Sequence, residues 1–510
     1  MTEKSKSRRF DVLVTAAEAF PRLEEEFLDA KCDIVAGFRI FDPWTSLYST
    51  RAKTHGDTWF DLIVATLNRG VRLRLILSDF DPVVRTGLHL GTWRSIKALL
   101  AAGEASDHPE NLNVTALMHP ARVGWLPRVG LWPRTINEIG KQISQLHDEG
   151  IDDASLLECA PPLVRKTRGK LVARKFPPPP LFPVSHHQKM AVFDDARLYV
   201  GGLDLNARRF DTPEHDRGAV RTWHDVQVIV DGSIAKEARD HLLTLTDALL
   251  GRDVPHPRKL LRTISARRGF SLFRMSPKTI FREIATAHHD AIRQSEELIY
   301  FESQFFRDEE LAQQLAVRAK EQSSLDMIML LPAAPEEIAF NDTWGSDTGF
   351  GEHLQAKCID IVQQAFGERL FVGSPVRPVR AKETDDRGTL FGSPIIYLHA
   401  KVSIFDAKLG IVSSANINGR SLNWDTETGV QTQTPAEVAK LKARCFDHWL
   451  NHAEDQALYA MRTARAGWAG LAANNSACDP EQRQGFVVPF DAEAGQKDAR
   501  YLPGAPAEMV

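Results

Sequence analysis

Along residues 16–41, AAEAFPRLEEEFLDAKCDIVAGFRIF, apolar positions first recur at helical spacing and then run together, which predicts a helix leading into a strand around residues 33–41. The same order returns in IFREIATAHHDAIRQSEELIYFESQFF. WFDLIVATLNRGVRLRLILSDF in the first half is then matched by LAQQLAVRAKEQSSLDMIMLLPA in the second, each reading as helix then strand. A third helix follows in each half, near 92–103 and 351–366, and another strand comes after it. Alternating helices and strands predict an α/β architecture of two similar lobes, each a mostly parallel sheet with helices on both faces. The pattern divides the chain into lobes at 1–255 and 256–470, joined near 252–275 where Pro, Arg and Gly collect. Residues 471–510 are poor in periodic apolar positions. They read as an extended tail, laid over the lobes through Phe486, Val487 and Phe490.

Two apolar stretches, 181–208 and 393–420, carry unexpected chemistry. The first, LFPVSHHQKMAVFDDARLYVGGLDLN, places His187, Lys189, Ala191 and Phe193 on one face of an extended chain and Gln188, Met190, Val192 and Asp194 on the other. Imidazole can attack phosphorus or carry a proton near neutral pH, and a neighbouring ammonium suits an anion, so the pair is equipped for phosphate chemistry. Asp194, on the opposite face, is expected to support the strand and its following turn. The second stretch, YLHAKVSIFDAKLGIVSSANINGRS, repeats His399, Lys401 and Asp406 at the same offsets, and Gly201-Gly202-Leu203-Asp204 aligns with Ser413-Ser414-Ala415-Asn416. Agreement in register over two such stretches sets chance aside.

H-x-K-x4-D followed by a small-residue turn, present twice, resembles the phospholipase D superfamily. IYFESQFF (299–306) is similar to the I-Y-I-E-N-Q-Y/F-F stretch of eukaryotic-type phospholipases D, as are GGLDL (201–205) and TWHD (222–225). The resemblance covers most of residues 10–460. It departs at Ser303, where the family usually has Asn, and at Ser413, where it usually has Gly. It implies a pseudo-twofold bilobal fold in which the two motifs meet, with His187 as nucleophile forming a phosphohistidine and His399 as general acid and then base. Symmetry leaves the reverse assignment open. Lys189 and Lys401 would clamp the non-bridging oxygens, with Ser414 and Asn416 as neutral donors to the substrate. Gly202 and Asp204 replace that pair in the first copy, so the oxyanion site should be asymmetric. Gly201, Gly202, Asp194 and Asp406 are expected to be structural. By resemblance Asp225 pairs with His187 and Glu427 with His399. Glu302 and Gln304 share a strand face and either line the substrate pocket or hydrogen-bond neighbouring loops. The two lysines supply the charge a metal would bring, and no carboxylate cluster demands one, so neither metal nor cofactor is expected. His186, His288 and His289 lack ligand spacing, His224 reads as a mere neighbour of Asp225, and GFGEH near 349 is too short for a nucleotide loop.

Composition narrows the partners. A net charge of -4 gives no global attraction to nucleic acid, and 43% hydrophobic residues suffice for real cores. Five cysteines (32, 159, 358, 445, 478) without a C-x-x-C pair indicate neither a disulfide framework nor a zinc site. The start, MTEKSKSRRFDVLV, has no apolar signal region, and no run reaches about 18 apolar residues. These features suggest a cytoplasmic or peripheral membrane protein, with specialised secretion open, and a monomer because both motifs lie in one chain. Residues 119–183 form an insertion peculiar to the first lobe. Its GWLPRVGLWPR and RKTRGKLVARKFPPPPLFP combine Trp with Arg and Lys, as suits an anionic membrane surface or, equally, a solvated loop. The leading expectation is metal-independent hydrolysis of glycerophospholipids to phosphatidic acid and a headgroup alcohol, with transphosphatidylation. A cardiolipin synthase-like phosphatidyltransferase, a superfamily nuclease and a non-catalytic membrane-binding protein are the alternatives.

Overall fold

The computed structural model describes residues 9–148, 150–159, 162–269, 271–341, 346–382, 387–502 and 506–509. Its first sheet has the spatial order Leu112–Leu117, Arg72–Ser78, Asp33–Phe38, Met190–Phe193, Arg197–Gly201, Val226–Asp231, Phe10–Val14. The second runs Val487–Pro489, Leu370–Pro375, Asp326–Leu330, Leu298–Ser303, Lys401–Phe405, Leu409–Ser413, Glu427–Thr432, Leu260–Ala266, Lys278–Arg282. Apart from one extra strand at each end of the second sheet, the two orders coincide, so the duplication in sequence is a duplication in topology.

Helix formation follows the patterning. Thr15–Asp29 buries Ala16, Ala19, Phe20, Leu23 and Phe27, a stripe of helical period, and Trp59–Asn68 opens with a Thr58/Asp61 capping box. The third helices occupy Thr86–Glu104 and Ser346–Phe366. One apolar core runs through both lobes, taking Val12, Val192 and Val228 from the first sheet and Val402, Ile404 and Val430 from the second. It also takes Leu242 and Trp449, from helices Ser233–Leu249 and Pro435–Leu450.

Both lobes are α/β, but their sheets are mixed where the helix–strand alternation had predicted mostly parallel ones. Among the described strands of the two sheets, parallel pairing joins Asp33–Phe38, Arg72–Ser78 and Leu112–Leu117 in one lobe and Leu298–Ser303, Asp326–Leu330 and Leu370–Pro375 in the other. The motif strands break the pattern because each turns straight back as a hairpin, and a tight hairpin can join only antiparallel strands. The turns use left-handed residues, Asp194 and Asp195 at φ 51° and 57° and Asp406 and Ala407 at 52° and 49°. Asp194 holds its turn against the neighbouring strand by accepting from the amides of Lys31, Cys32 and Asp33 at 2.8–3.0 Å. Burial pushes the Asp194 carboxyl up, and those amides outweigh it, leaving the group below its ordinary value. Asp406 accepts likewise from the amides of Glu296, Glu297 and Leu298 at 2.7–3.0 Å.

The segment after residue 470 is not an extended tail. Helix Ala464–Ala477 continues past it, Val487–Pro489 pairs antiparallel with Leu370–Pro375, and helix Ala492–Asp498 follows. Three residues of strand are too short to show alternation in sequence. Their function is to cover the otherwise open edge of the second sheet, burying Val487 and Val488. The insertion 119–183 likewise has structure of its own, helices Trp125–Asp148 and Asp153–Cys159 and a hairpin of Val164–Thr167 with Lys170–Ala173, packed on a small core that includes Val83, Ile139, Ile143, Leu163 and Leu171.

Removing the acceptor shared by three amides, that of Leu298 buried and those of Glu296 and Glu297 partly so, leaves all of them without it. Asp406→Ala should therefore cost about 2–4 kcal/mol of stability in a denaturant titration. Asp195→Ala, in the equivalent region of the first turn but exposed and paired only with Arg239, should cost less than about 1 kcal/mol.

Candidate active site

Each motif histidine sits just before its strand, where the backbone crosses between lobes. The His187 amide donates to the Thr426 carbonyl at 2.8 Å, and the Thr426 amide to the Ser185 carbonyl at 3.1 Å. In the other direction the His399 amide donates to the His224 carbonyl at 2.8 Å, and the His224 amide to the Tyr397 carbonyl at 2.9 Å. These short parallel bridges set the residue after Thr426, Glu427, beside His187, and the residue after His224, Asp225, beside His399.

The acids are therefore exchanged relative to the pairing that the resemblance implied. Asp225 holds His399, with Oδ2 2.6 Å from Nδ1, and Glu427 holds His187, with its carboxylate 3.1 Å from Nδ1. Each acid begins a strand of its own lobe, but the crossing ladder delivers it to the histidine of the other. The Ser414 carbonyl also accepts from His187 Nδ1, at 3.0 Å. With acceptors on both sides, that nitrogen carries the proton, and the lone pair of His187 lies on Nε2. The two imidazole rings face one another with centroids 6.5 Å apart. Lys189 donates to the His187 carbonyl at 2.6 Å. Lys401 donates to the His399 carbonyl and lies 3.0 Å from His399 Nδ1.

Other predicted residues fall into different places. Ser414 is fully buried and its hydroxyl donates to Glu427 at 2.5 Å, so it fixes the acid instead of offering a donor to substrate. Glu302 is equally buried, accepting from the Tyr300 hydroxyl at 2.7 Å and from His224 Nε2 at 3.1 Å, and Gln304 donates to the Tyr397 hydroxyl at 2.8 Å. Both are held by internal partners, the second of the two possibilities their spacing left open, and their assignment as substrate-binding residues is corrected accordingly. Asn416 keeps a buried Oδ1 with no hydrogen-bond partner among the described residues, whereas its counterpart Asp204 accepts from the Ile40 amide at 3.0 Å and lies 3.5 Å from Arg39.

The small-residue turns are shaped by their acids. A Cβ on Gly202 would sit 2.4 Å from Asp225 Oδ1, so the first copy has no room for the serine that the second uses against Glu427. Gly201 lies opposite Gln227, and Ser413 opposite Gly429. A Cβ on Gly201 would strike the Gln227 side chain at 2.3 Å, and one on Gly429 would strike Ser413 at 2.6 Å. Small and large have changed sides between copies.

Burial dominates the electrostatics. Together with the nearby Lys189, Arg39 and Lys401 it holds His187 well below 6.5, and with Lys401, Lys189 and Arg209 it does the same to His399. Burial also pushes Asp225 up to about 7 and Glu427 up to about 8, opposed respectively by Lys401 and Lys189. It lowers Lys189 to about 8 and Lys401 to about 7, opposed respectively by Asp204 and Asp225. An anion placed among these groups would favour the charged forms of both lysines and of an imidazole. Arg39 and Arg209 escaped the sequence reading. A signal for Arg39 existed, since the pairing register equates Gly37, opposite Met190, with Glu302, opposite Val402, and so puts Arg39 where Gln304 stands. Arg209, its guanidinium 3.6 Å from the Trp223 ring centroid, follows a turn with no regular spacing to reveal it.

Residues 289–449 match the family described as "Cardiolipin synthase, PLD-like domain". Phospholipase D1 of Schizosaccharomyces pombe is 24% identical over 344 residues, 48% of this chain and 24% of that protein. Phospholipase D alpha 4 of Arabidopsis thaliana is 22% identical over 376 residues, 52% of this chain and 48% of that protein. The chain thus matches less than half the length of either relative. Among solved structures, phosphatidylserine synthase of Haemophilus influenzae Rd KW20 superposes with a TM-score of 0.51 at 12% identity, covering 92% of this chain and 93% of the other, which establishes a common fold.

The exchanged acids predict a separation by leaving group. If His187 attacks and His399 donates the proton, Asp225→Asn should lose about 10²–10⁴-fold on a phosphodiester with an alkyl leaving group and recover most of it on a p-nitrophenyl diester, which needs no acid. Glu427→Gln should be impaired on both. Recovery in Glu427→Gln but not in Asp225→Asn would exchange the roles of the two histidines.

The lysines predict the alkaline limb of the pH profile. Both must be protonated to bind an anion, and protons are lost as pH rises through about 7 for Lys401 and about 8 for Lys189. Bound phosphate favours the protonated form. kcat/KM should therefore fall between about pH 7 and 9 through a rising KM, with kcat falling only at higher pH.

Proposed function

We propose that this chain, a member of the phospholipase D superfamily carrying a phospholipase D-like domain, is a phospholipase D that hydrolyses glycerophospholipids through a phosphohistidine and also transfers the phosphatidyl group to alcohols. The observation that carries the reading is the pair of facing imidazoles, each with a carboxylate at Nδ1, so that both Nε2 atoms are left for the substrate.

His187 Nε2 attacks phosphorus, the bond to the headgroup oxygen breaks, and His399 delivers its proton to that oxygen. Asp225, 2.6 Å from His399, stabilises the imidazolium that this role requires. Water then attacks the phosphorus, giving its proton to His399, and the P–N bond breaks to release phosphatidic acid and free His187. Lys189 and Lys401 balance the charge that grows on the non-bridging oxygens, with Asn416 as a neutral partner. The assignment of attack to His187 is supported by its environment. Its side chain is the more accessible of the two, 12% against 7%, and its Nδ1 proton is shared between a backbone carbonyl and a carboxylate.

A lipid surface as the source of substrate is supported by exposed apolar side chains from two adjoining segments. The amides of Trp125 and Leu126 donate to the carbonyls of Ser271 and Leu272, which brings exposed Trp125 and Leu126 beside exposed Leu272 and Phe273, with Arg274 next in the chain. The description of the matched family favours a second reading, transfer of the phosphatidyl group to another lipid's hydroxyl, which the same residues would perform with a different acceptor.

A covalent phosphatidyl group must wait for an acceptor, so a primary alcohol should compete with water for it. Phosphatidylcholine vesicles with added ethanol should yield phosphatidylethanol at the expense of phosphatidic acid, with headgroup release little changed. Preference for phosphatidylglycerol over both would establish the synthase reading. Release of phosphatidic acid with no phosphatidylethanol at any ethanol concentration would exclude the covalent intermediate.

A further inference from the structure

Two histidines of the first lobe's loop before Asp225, His215 and His224, converge with His448 from the second lobe's helix Pro435–Leu450. A ring nitrogen from each lies within 4.8 Å of the others. Their roles can be read from what holds the opposite nitrogen. Asp211 Oδ2 accepts from the Trp223 amide at 2.6 Å and lies 2.7 Å from His215 Nδ1. An acceptor there places the proton on Nδ1 and leaves a lone pair on Nε2. Glu302 accepts from the Tyr300 hydroxyl and lies 3.1 Å from His224 Nε2, which places the second proton there and leaves a lone pair on Nδ1. That Nδ1 is buried and has no hydrogen-bond partner among the described residues. His448 Nε2 stands 3.0 Å from His215 Nε2.

As a purely internal network the arrangement is incomplete. One proton on His448 satisfies His215 and leaves the inward nitrogen of His224 desolvated and unpaired, a costly state for a buried polar atom. A cation accepting all three lone pairs removes the deficit. A carboxylate behind a ligating imidazole is the usual means of fixing its tautomer and raising its basicity, and here two of the three histidines have one. Two carboxylates also offset the double charge of a divalent ion in a place otherwise walled by Trp449, stacked on His215 at 6.1 Å, and Phe486, edge-on at 5.6 Å. Ligand nitrogens on a tetrahedral zinc stand about 3.3 Å apart, so the trio closes on an ion with small side-chain shifts.

We propose that His215, His224 and His448 form a structural binding site for one zinc-class divalent cation, with Asp211 and Glu302 as its outer carboxylates. Imidazole nitrogens without thiolates select a borderline metal over magnesium or calcium. The ion would tie the Asp211–His224 loop of one lobe to the last long helix of the other. Because the His224 carbonyl accepts the His399 amide and Asp225 comes next, it would steady the crossing that presents Asp225 to His399. It takes no part in the phosphodiester chemistry assigned to His187 and His399, and its refutation would leave that assignment standing.

The test uses the full chain, made with a tag free of histidine in zinc-supplemented medium and desalted. Elemental analysis should find one zinc per chain. The metal should be released to a chromogenic chelator only on denaturation, and its removal should lower the melting temperature. His215→Gln and His448→Gln should each lose most of the metal. As a control for folding, His448→Cys exchanges one zinc ligand for another, so its cobalt-loaded form should bind stoichiometrically and gain a sulfur-to-cobalt charge-transfer band absent from the cobalt-loaded wild type. Wild-type protein that takes up no zinc, or a His448→Gln protein that retains as much as wild type, would overturn the proposal. So would a His448→Cys protein that binds cobalt without the new band.

Discussion

Two short backbone bridges between the lobes determine where every reactive group in this protein lies. The segment ending at His187 pairs with the segment ending at Thr426, and the segment ending at His399 pairs with the segment ending at His224. Because the acids follow directly after those partner segments, each histidine is held by a carboxylate from the opposite lobe. Neither lobe alone contains a motif histidine together with the carboxylate that holds it. Separation of the lobes would dissolve both pairs at once, and the continuous core formed by Val192, Leu242, Val402 and Trp449 is what resists it.

That dependence explains why so many charges can be kept out of water. Lys189, Lys401, Asp225 and Glu427 are all buried, and burial opposes the charged form of each. The two lysines and two acids offset one another only while the crossing geometry holds, and around them Arg39 and Arg209 stand against the single carboxylate of Asp204, which favours a guest of one negative charge. A phosphodiester is such a guest. Substrate binding and proton placement are then coupled, since the anion that satisfies the lysines also makes a protonated imidazole less costly.

The duplication was legible because periodicity survives divergence. Helix Trp59–Asn68 and helix Glu309–Glu321 have different residues but the same relation to the strand that follows. His187, Lys189, His399 and Lys401 were legible because two motifs agreed in register. The identities of the two acids were legible too, but their allocation was not. Asp225 and Glu427 each follow the histidine of their own half, and nothing local records that the chain crosses between lobes before reaching them. The largely antiparallel character of the sheets was missed for a related reason, since helix–strand alternation describes the strands before the motif and says nothing of the hairpin after it. Ser414, Glu302 and Gln304 were misplaced because a polar residue near a catalytic strand reads the same whether it faces substrate or a buried partner. His215 and His448, separated by more than two hundred residues, present no spacing at all.

The residues that differ between the copies are matched to their present neighbours. Gly202 is excluded from becoming serine by Asp225, and Ser414 is engaged by Glu427, so each turn suits only the acid that it faces. Gly201 with Gln227, and Ser413 with Gly429, form a second exchange of small for large across the same ladder position. A single substitution at any of these points would meet a clash or leave a hole, so the two members of each pair are energetically coupled. Asp204 holding the Ile40 amide and facing Arg39, against Asn416 with its unpartnered oxygen, extends the asymmetry to the phosphate side of the site. Two halves that began alike have acquired surroundings that no longer permit exchange, which is the physical condition for one histidine to attack while the other manages the proton.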